Sequence, residues 1–446
     1  MSDNLASYIL SNQGVAVIDA DSGESFSYKD LNLRVINYEE ILLRKRGIYG
    51  VKCENRFPNI AFYIACLKTS TPLLLLPSNI TEEAISKLAK DFKLCGVFSG
   101  RGEETLRFFG SKQSNLVFSS NTSILLGTSG SQSSPRFVRI SMQNLVTNSF
   151  DIVGALQDWK DQRCISTLPW HYSYGLSMIN THLLTGNTVV LNQHPIVSEK
   201  FWANIHKYQV TNFGGVPSQY ETLFRLRDKF ITAESLRYVT QAGGKLGVAL
   251  RTEFHNLTYN LEQDFYIMYG QTEATARISI LSPEQFELHE ESVGKCIGKG
   301  SMTEIQGELV FKGGNVCLGY ASELDHLFHE DANLGILHTG DRGFVDSDGF
   351  IYVTGRVGRD IKISGTRISL DTIESQLDKE GIKGYALDLE GKIAVVYSNV
   401  SDFEKIVTVL WSDFNMSKRN LVLRHMQHIP LLDNGKINYR VLREYF

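Results

Sequence analysis

Four short stretches carry residue types suited to holding a phosphorylated ligand. The first is Thr128-Ser129-Gly130-Ser131-Gln132-Ser133-Ser134-Pro135-Arg136, directly after an apolar run that reads as a strand. Small residues let backbone approach a phosphate, and hydroxyls donate to its oxygens. It is not a Walker loop: no Gly-Lys-Ser/Thr closes it, and Pro135 leads into 137–140, which reads as a strand rather than a helix. A polar surface loop has the same composition. The second is Tyr269-Gly270-Gln271-Thr272-Glu273, again after a strand. Its ring offers a face to a base, its hydroxyls offer donors to a phosphate, and Glu273 is the single carboxylate that Mg²⁺ takes when phosphates supply other ligands. A glycine turn before a helix would look alike. The third is Thr339-Gly340-Asp341 with Gly355-Arg356 downstream. An aspartate held by a tight turn accepts from both ribose hydroxyls, although most turn aspartates are merely solvated. The fourth is Asp433-Asn434-Gly435-Lys436, an Asn-Gly hairpin signal beside a lysine. Alone it is an ordinary turn.

The elements that must position these stretches follow from pattern. Short apolar runs at 15–19, 73–76, 123–126, 165–168, 188–191, 211–213, 236–240 and 264–268 read as strands. Between them, 59–68, 81–94, 176–184, 198–208, 218–226 and 250–257 have helical spacing, with Thr81 as a helix cap. Strands alternating with helices predict mostly parallel sheets covered on their faces. Fourteen of the 37 glycines then fall between 294 and 365, among alternating runs at 308–311 and 349–353. That predicts a small antiparallel β subdomain. A compact α+β ending follows, with helices at 370–377 and 403–410 and strands at 393–397 and 421–423. The fold class is therefore α/β, a large N-terminal domain plus a small α+β C-terminal one, cut near 355–360. There is no internal repeat.

Composition removes other classes. Lys plus Arg is 45 and Asp plus Glu 49, a formal charge of −4, so the whole surface does not grip nucleic acid. No apolar run approaches the ~18 residues of a membrane span, and residues 1–10 do not read as a secretory signal. Six scattered cysteines without a Cys-x-x-Cys pair fit neither a disulfide scaffold nor zinc. Reduced, packed thiols in a cytoplasmic protein are expected.

In their order and spacing, the four stretches together resemble the superfamily of adenylate-forming enzymes: acyl-CoA synthetases, carrier-protein adenylation domains and firefly-type luciferases. Phe213-Gly214-Gly215-Val216-Pro217, Gln241-Ala242-Gly243-Gly244, Gly307-Glu308-Leu309 and Gly365-Thr366-Arg367-Ile368 extend the resemblance over about 120–446. It implies activation of a carboxylic acid by ATP and Mg²⁺ to an acyl-adenylate, with release of pyrophosphate, then transfer to a thiol of CoA or of a phosphopantetheine carrier protein. Thr128, Ser129, Gly130 and Ser131 would hold the β- and γ-phosphates. Tyr269 would stack on adenine, flanked by Gly243 and Gly244, with Gly270 and Gln271 beside it. Thr272 would bind the α-phosphate, Glu273 the metal, Asp341 the ribose with Arg356 beside it. Lys436, on a mobile lid, would bridge the carboxylate and the α-phosphate. The implied domains are 1–355, a hinge at 356–359 around Gly358, and a lid at 360–446, with Gly365 at the thiol tunnel. The sequence departs from the family at Gln132-Ser133 and at Arg136, where lysine is usual, and at Gly358, where Asp or Lys is usual. The first 120 residues look trimmed and carry no assigned site. Shortness and these variant motifs resemble small bacterial acyl-adenylate ligases, which slightly favours a carrier protein as acceptor.

Leu168-Pro169-Trp170-His171-Tyr172-Ser173-Tyr174-Gly175-Leu176 resembles the family segment that gates the acyl pocket, with Tyr172 or His171 as the gate, Gln241 as a further acid contact and Trp170 as core. Amino-acid-activating members place an aspartate where Gly175 stands, and no carboxylate lies between Asp161 and Glu199. An acid without a free α-ammonium is therefore expected. An amino-acid-activating ligase and a catalytically inactive nucleotide-binding homologue are the alternatives.

Overall fold

The computed structural model describes residues 4–100, 104–109, 121–127, 136–156, 159–363, 366–389, 392–414, 416, 421–432 and 435–446. Two large sheets dominate. The nine-stranded sheet runs Lys295–Cys296, Ser279–Leu281, Asp264–Tyr269, Tyr238–Gln241, Asn212–Gly215, Arg163–Ile165, Thr188–Leu191, Val15–Asp19, Ser25–Ser27. Its inner strands are parallel, and antiparallel strands finish both edges. The seven-stranded sheet has a parallel centre of Thr122–Gly127, Leu73–Leu76, Tyr49–Lys52 and Gly96–Ser99. Leu73–Leu76 is buried at every residue, as expected for a strand covered on both faces.

The helices Phe57–Lys68 and Ser173–Leu184 are buried nearly all round, because both lie in the one hydrophobic core that joins the two sheets. Thr81 accepts from a backbone N–H of its helix, as its sequence position predicts, and Ser198 does the same for the helix that follows it. Many element ends shift by one to four residues from the sequence reading, and two of the shifts have a clear local cause. The helix expected over 81–94 stops at Asp91, since the chain turns left-handed at Lys93 (φ 48°). The strand expected over 165–168 is Arg163–Ile165: Pro169 lies ahead, and Thr167 instead turns its hydroxyl onto the Gly214 carbonyl.

The glycine-rich stretch forms the expected antiparallel sheet, Ser301–Ile305, Glu308–Lys312, Ile336–Val345 and Ile351–Arg356. Beyond it, Gly384–Leu389, Lys392–Tyr397 and Leu421–His425 form a three-stranded sheet against Leu370–Lys379 and Phe403–Phe414, with its own core around Ile373, Leu377, Val395 and Leu410. Between the two, Gly358 sits at φ +85° with open space where a side chain would project. A non-glycine residue there would be strained. The C-terminal unit rests on the rest through Lys383–Glu221 at 2.5 Å, Lys379–Glu291 at 3.6 Å and Lys245 donating to the Ser375 hydroxyl at 2.9 Å.

All six cysteines are free thiols, five buried and Cys296 partly so. Among the described residues no helix is long and apolar enough to cross a membrane.

Candidate functional site

The end of strand Asp264–Tyr269, the middle of strand Ile336–Val345 and the end of strand Ile351–Arg356 meet at one place. Asp264–Tyr269 delivers Tyr269, whose hydroxyl donates to Asp341 Oδ2 at 2.6 Å. Asp341 is buried, and Arg356 Nε donates to its Oδ1 at 2.9 Å from the paired neighbouring strand. Burial pushes the Asp341 carboxyl up, while Arg356, Tyr269 and Lys436 pull it down. Burial and the Asp341 charge push the Tyr269 phenol up, so it stays a donor. Gln271 reaches the Thr339 carbonyl at 3.4 Å. Thr272 opens a single 3₁₀ turn, and its hydroxyl lies 3.5 Å from that of Ser173 at the start of the 173–184 helix. The turn ends on Thr275 at φ +65°, a costly conformation for a β-branched residue, held by its hydroxyl on the Asn315 carbonyl at 2.7 Å.

Glu273 accepts from the Tyr320 hydroxyl at 2.9 Å. The Arg136 guanidinium lies 4.5 Å from the centre of the Tyr320 ring. A planar guanidinium stacks on an aromatic face as an ammonium does not, which gives Arg136 a physical role at the position where the resemblance implies lysine. Tyr320 was invisible to the sequence reading, because 47 residues separate it from Glu273. No group of three His, Cys, Asp or Glu side chains suited to a metal occurs among the described residues. Glu273 is thus a single carboxylate with its orientation fixed, which fits Mg²⁺ that keeps water and phosphate oxygens as its other ligands.

Lys436 comes from the C-terminal unit. Its hairpin is real: the Leu432 N–H donates to the Lys436 carbonyl at 2.7 Å, Gly435 to Leu432 at 2.8 Å, and Leu431 bridges Ile437. The residue as a whole is exposed. Protein packed round its ammonium, and then Arg356, lower its pKa, whereas Asp341 and Glu273 pull it back up. Three residues on, Tyr439 donates to Glu374 at 2.9 Å, and Arg359 pairs with Glu374 at 2.9 Å while lying 4.3 Å from the Tyr439 ring centre. This links the lysine hairpin to the chain just after Gly358. No spacing signal marks it, since its members lie 15 to 80 residues apart.

The acyl-side candidates sit beyond Ser173. His171 is buried against Tyr172 (ring centres 4.2 Å apart), and neither of its ring nitrogens has a partner. Burial lowers its pKa to about 4, so it is neutral at pH 7. Trp170 is core, its indole N–H on the Glu54 carbonyl at 3.1 Å. Gln241 turns its amide N–H groups onto the carbonyls of Ala242 and Gly244, at 3.3 and 3.0 Å, and so braces the Gly243-Gly244 loop. At Gly175 a Cβ would lie 2.5 Å from the Pro169 carbonyl oxygen. Thr128, Ser129, Gly130, Ser131 and Gly365 lie outside the described residues, as do Asp433 and Asn434.

A family profile described as AMP-binding enzyme matches residues 11–321. The chain belongs to the AMP-binding enzyme family. Relatives include 2-succinylbenzoate–CoA ligase of Bacillus pumilus, 26% identical over 394 residues (80% of this chain, 78% of the relative). D-alanine–D-alanyl carrier protein ligase of Listeria innocua is 24% identical over 406 residues (82% and 77%). Among solved structures, o-succinylbenzoate CoA synthetase of Bacillus subtilis aligns with TM-score 0.78 bound to its acyl-adenylate intermediate, covering 99% of this chain and 98% of that one. Bound to ATP and magnesium ion, it aligns with TM-score 0.76 and covers 99% of each. Both are 19% identical to this chain. The chain is an ATP- and Mg²⁺-dependent acid–thiol ligase that adenylates a carboxylic acid and passes the acyl group to a thiol.

Proposed function

We propose that this ligase activates an acid without a free α-ammonium group and delivers it to a phosphopantetheine carrier protein, with CoA as the other acceptor. The observation that carries the assignment of roles is the convergence of Lys436, Asp341 and Glu273 from three distant stretches within electrostatic reach of one another. Asp341, braced by Tyr269 and Arg356, accepts from the ribose hydroxyls. The Tyr269 ring offers its face to adenine beside Gly243, Gly244, Gly270 and Gln271. Thr272 donates to the α-phosphate, and Thr128, Ser129, Gly130 and Ser131 hold the β- and γ-phosphates. Glu273 would hold the Mg²⁺, which would supply positive charge against the triphosphate. Lys436 donates between the acid's carboxylate and the α-phosphate, offsetting their repulsion and stabilising charge as the carboxylate oxygen attacks phosphorus and pyrophosphate leaves. The thiolate then attacks the acyl carbon and AMP departs.

Residues 1–355 form the body and 360–446 the lid, turning at 356–359 about Gly358 so that pantetheine passes Gly365. Closure excludes water from the adenylate. His171 and Tyr172 gate the acyl pocket, and Gln241 holds its rim. The close Pro169 carbonyl leaves no room for a carboxylate at position 175, which supports an acid lacking an α-ammonium. A cytoplasmic location supplies ATP and keeps the thiols reduced.

Acid-dependent ATP–pyrophosphate exchange over a carboxylate panel tests this. Exchange is expected with non-amino acids and lost in Lys436→Ala. Exchange confined to amino acids removes the pocket argument, and an unchanged Lys436→Ala rate removes that lysine's role. CoA or holo carrier protein added to preformed adenylate then identifies the acceptor.

A further inference from the structure

Arg277 lies four residues past Glu273 and is 2% exposed. Its Nε and Nη1 have no partner, and Nη2 meets only the Met178 thioether sulfur at 2.9 Å, a weak acceptor. The titratable groups around it supply no counter-charge at neutral pH. Burial holds the Cys164 thiol and the Tyr174 phenol at about 12, keeps Tyr238 well above its ordinary value, and holds His182 at about 4. Nearby, the buried His182 and Asn212 side chains interact with each other, although His182 Nε2 and Asn212 Oδ1 close no well-aligned hydrogen bond. Native folds pair their buried polar groups, and an unpaired buried cation is among the costliest things they hold.

The guanidinium also faces the right space. Its carbon is 5.4 Å from the centre of the Tyr174 ring. Tyr174 is only partly buried, neighbours Gly175 and lies against Gly214, with its hydroxyl on Thr240. Met178 lines the cavity of about 10 Å³ beside Cys164 and Gly175, room for about one water. A ligand therefore reaches Arg277 by turning Tyr174 and Met178, and methionine is the side chain that repacks most readily.

We propose that Arg277 is the counter-ion for a second carboxylate on the substrate, so that the acid activated here is a dicarboxylic acid. One carboxylate reacts at Lys436 and the other pairs with Arg277. The proposal rests on the ligase reading above.

The test pairs straight-chain diacids of three to six carbons with monoacids of equal length, and benzene dicarboxylic acids with benzoic acid. It reads ATP–pyrophosphate exchange and, separately, calorimetric binding of each acid without ATP. The best diacid is expected to exceed its monoacid by at least ~100-fold in kcat/KM, since a site built to pair a charged group rejects analogues lacking it. Arg277→Met should collapse that ratio and Arg277→Lys restore part of it. The wild-type comparison does not depend on either variant folding. Monoacids exchanging as well as every diacid overturn the proposal and leave the ligase reading standing. Exchange with no acid overturns the ligase reading. Calorimetry then decides the anion site: tighter diacid than monoacid binding supports it, and equal or absent binding overturns it.

Discussion

Asp341 and Arg277 are both buried charges beside the Tyr269–Glu273 loop, 4% and 2% exposed. Asp341 is met by Tyr269 and Arg356 at hydrogen-bond distance, whereas Arg277 has two nitrogens with no partner. The proposed nucleotide end is thus paired within itself, whereas the proposed acyl end holds buried polar atoms without a partner. The difference fits the division of labour. The nucleotide is the same in every turnover and meets preorganised groups. The acid is what the enzyme must choose, and choice is sharpest where a buried group stays unpaired with the wrong ligand.

Breaking the junction between the two ends should have the largest effect. Lys436→Ala is expected to lower the adenylation rate by on the order of 10³-fold, read by pyrophosphate exchange, with ATP binding largely kept. Next, Asp341→Asn should weaken ATP by on the order of 100-fold in equilibrium binding, because it removes an ionic acceptor and frees Arg356. An effect confined to the acid's KM would erase the contrast between the ends.

The contrast extends to pH. His171 and His182 are held at about 4, below the ~6.5 of an unfolded histidine. Between those values the unfolded chain binds more protons. Stability is therefore fully present above pH 6.5 and is lost as pH falls toward 4, by up to about 1.4 kcal/mol per pH unit for each histidine. Chemical denaturation at pH 7 and 5 measures this, and His171→Phe should remove one share. A slope unchanged in that variant would show that His171 is not buried neutral. The smallest effect belongs to an ion pair between the C-terminal unit and the rest of the chain. Lys383→Ala removes a surface ion pair with Glu221 and should change adenylation by about twofold or less.

The stretches proposed for the nucleotide stood out in sequence, and of the proposed acyl side only the 168–176 segment and Gln241 did, for a physical reason. Backbone that approaches phosphate needs small residues in a short contiguous run, so Tyr269–Glu273 and Thr339–Asp341 announce themselves. The partners that tune these residues come from elsewhere in the chain: Tyr320 on Glu273, and Arg359 and Glu374 on Tyr439. Arg277 carries no local signal, since its meaning is the lack of a partner, which only packing reveals. The covered parallel sheets followed from strand–helix alternation. The edge strands and the Met142–Ala155 helix escaped it, as did most of the first 100 residues, which build the centre of the second sheet. Gly175 was read as a missing carboxylate, and the Pro169 carbonyl supplies the reason for that absence.

The buried cysteines bear on self-damage. An acyl-adenylate is made to be captured by sulfur, and the first sulfur it could meet is the enzyme's own. Cys164 lines the cavity beside Gly175. Its thiol is held at about 12, so roughly one molecule in 10⁵ carries the reactive thiolate at neutral pH. Burial lifts Cys296 and Cys317 to about 11 and raises Cys53, Cys66 and Cys95 as well. Mass spectrometry after incubation with acid and ATP, without acceptor, should find all six unacylated. Packing that first looks like ordinary core filling leaves the incoming thiol without competitors.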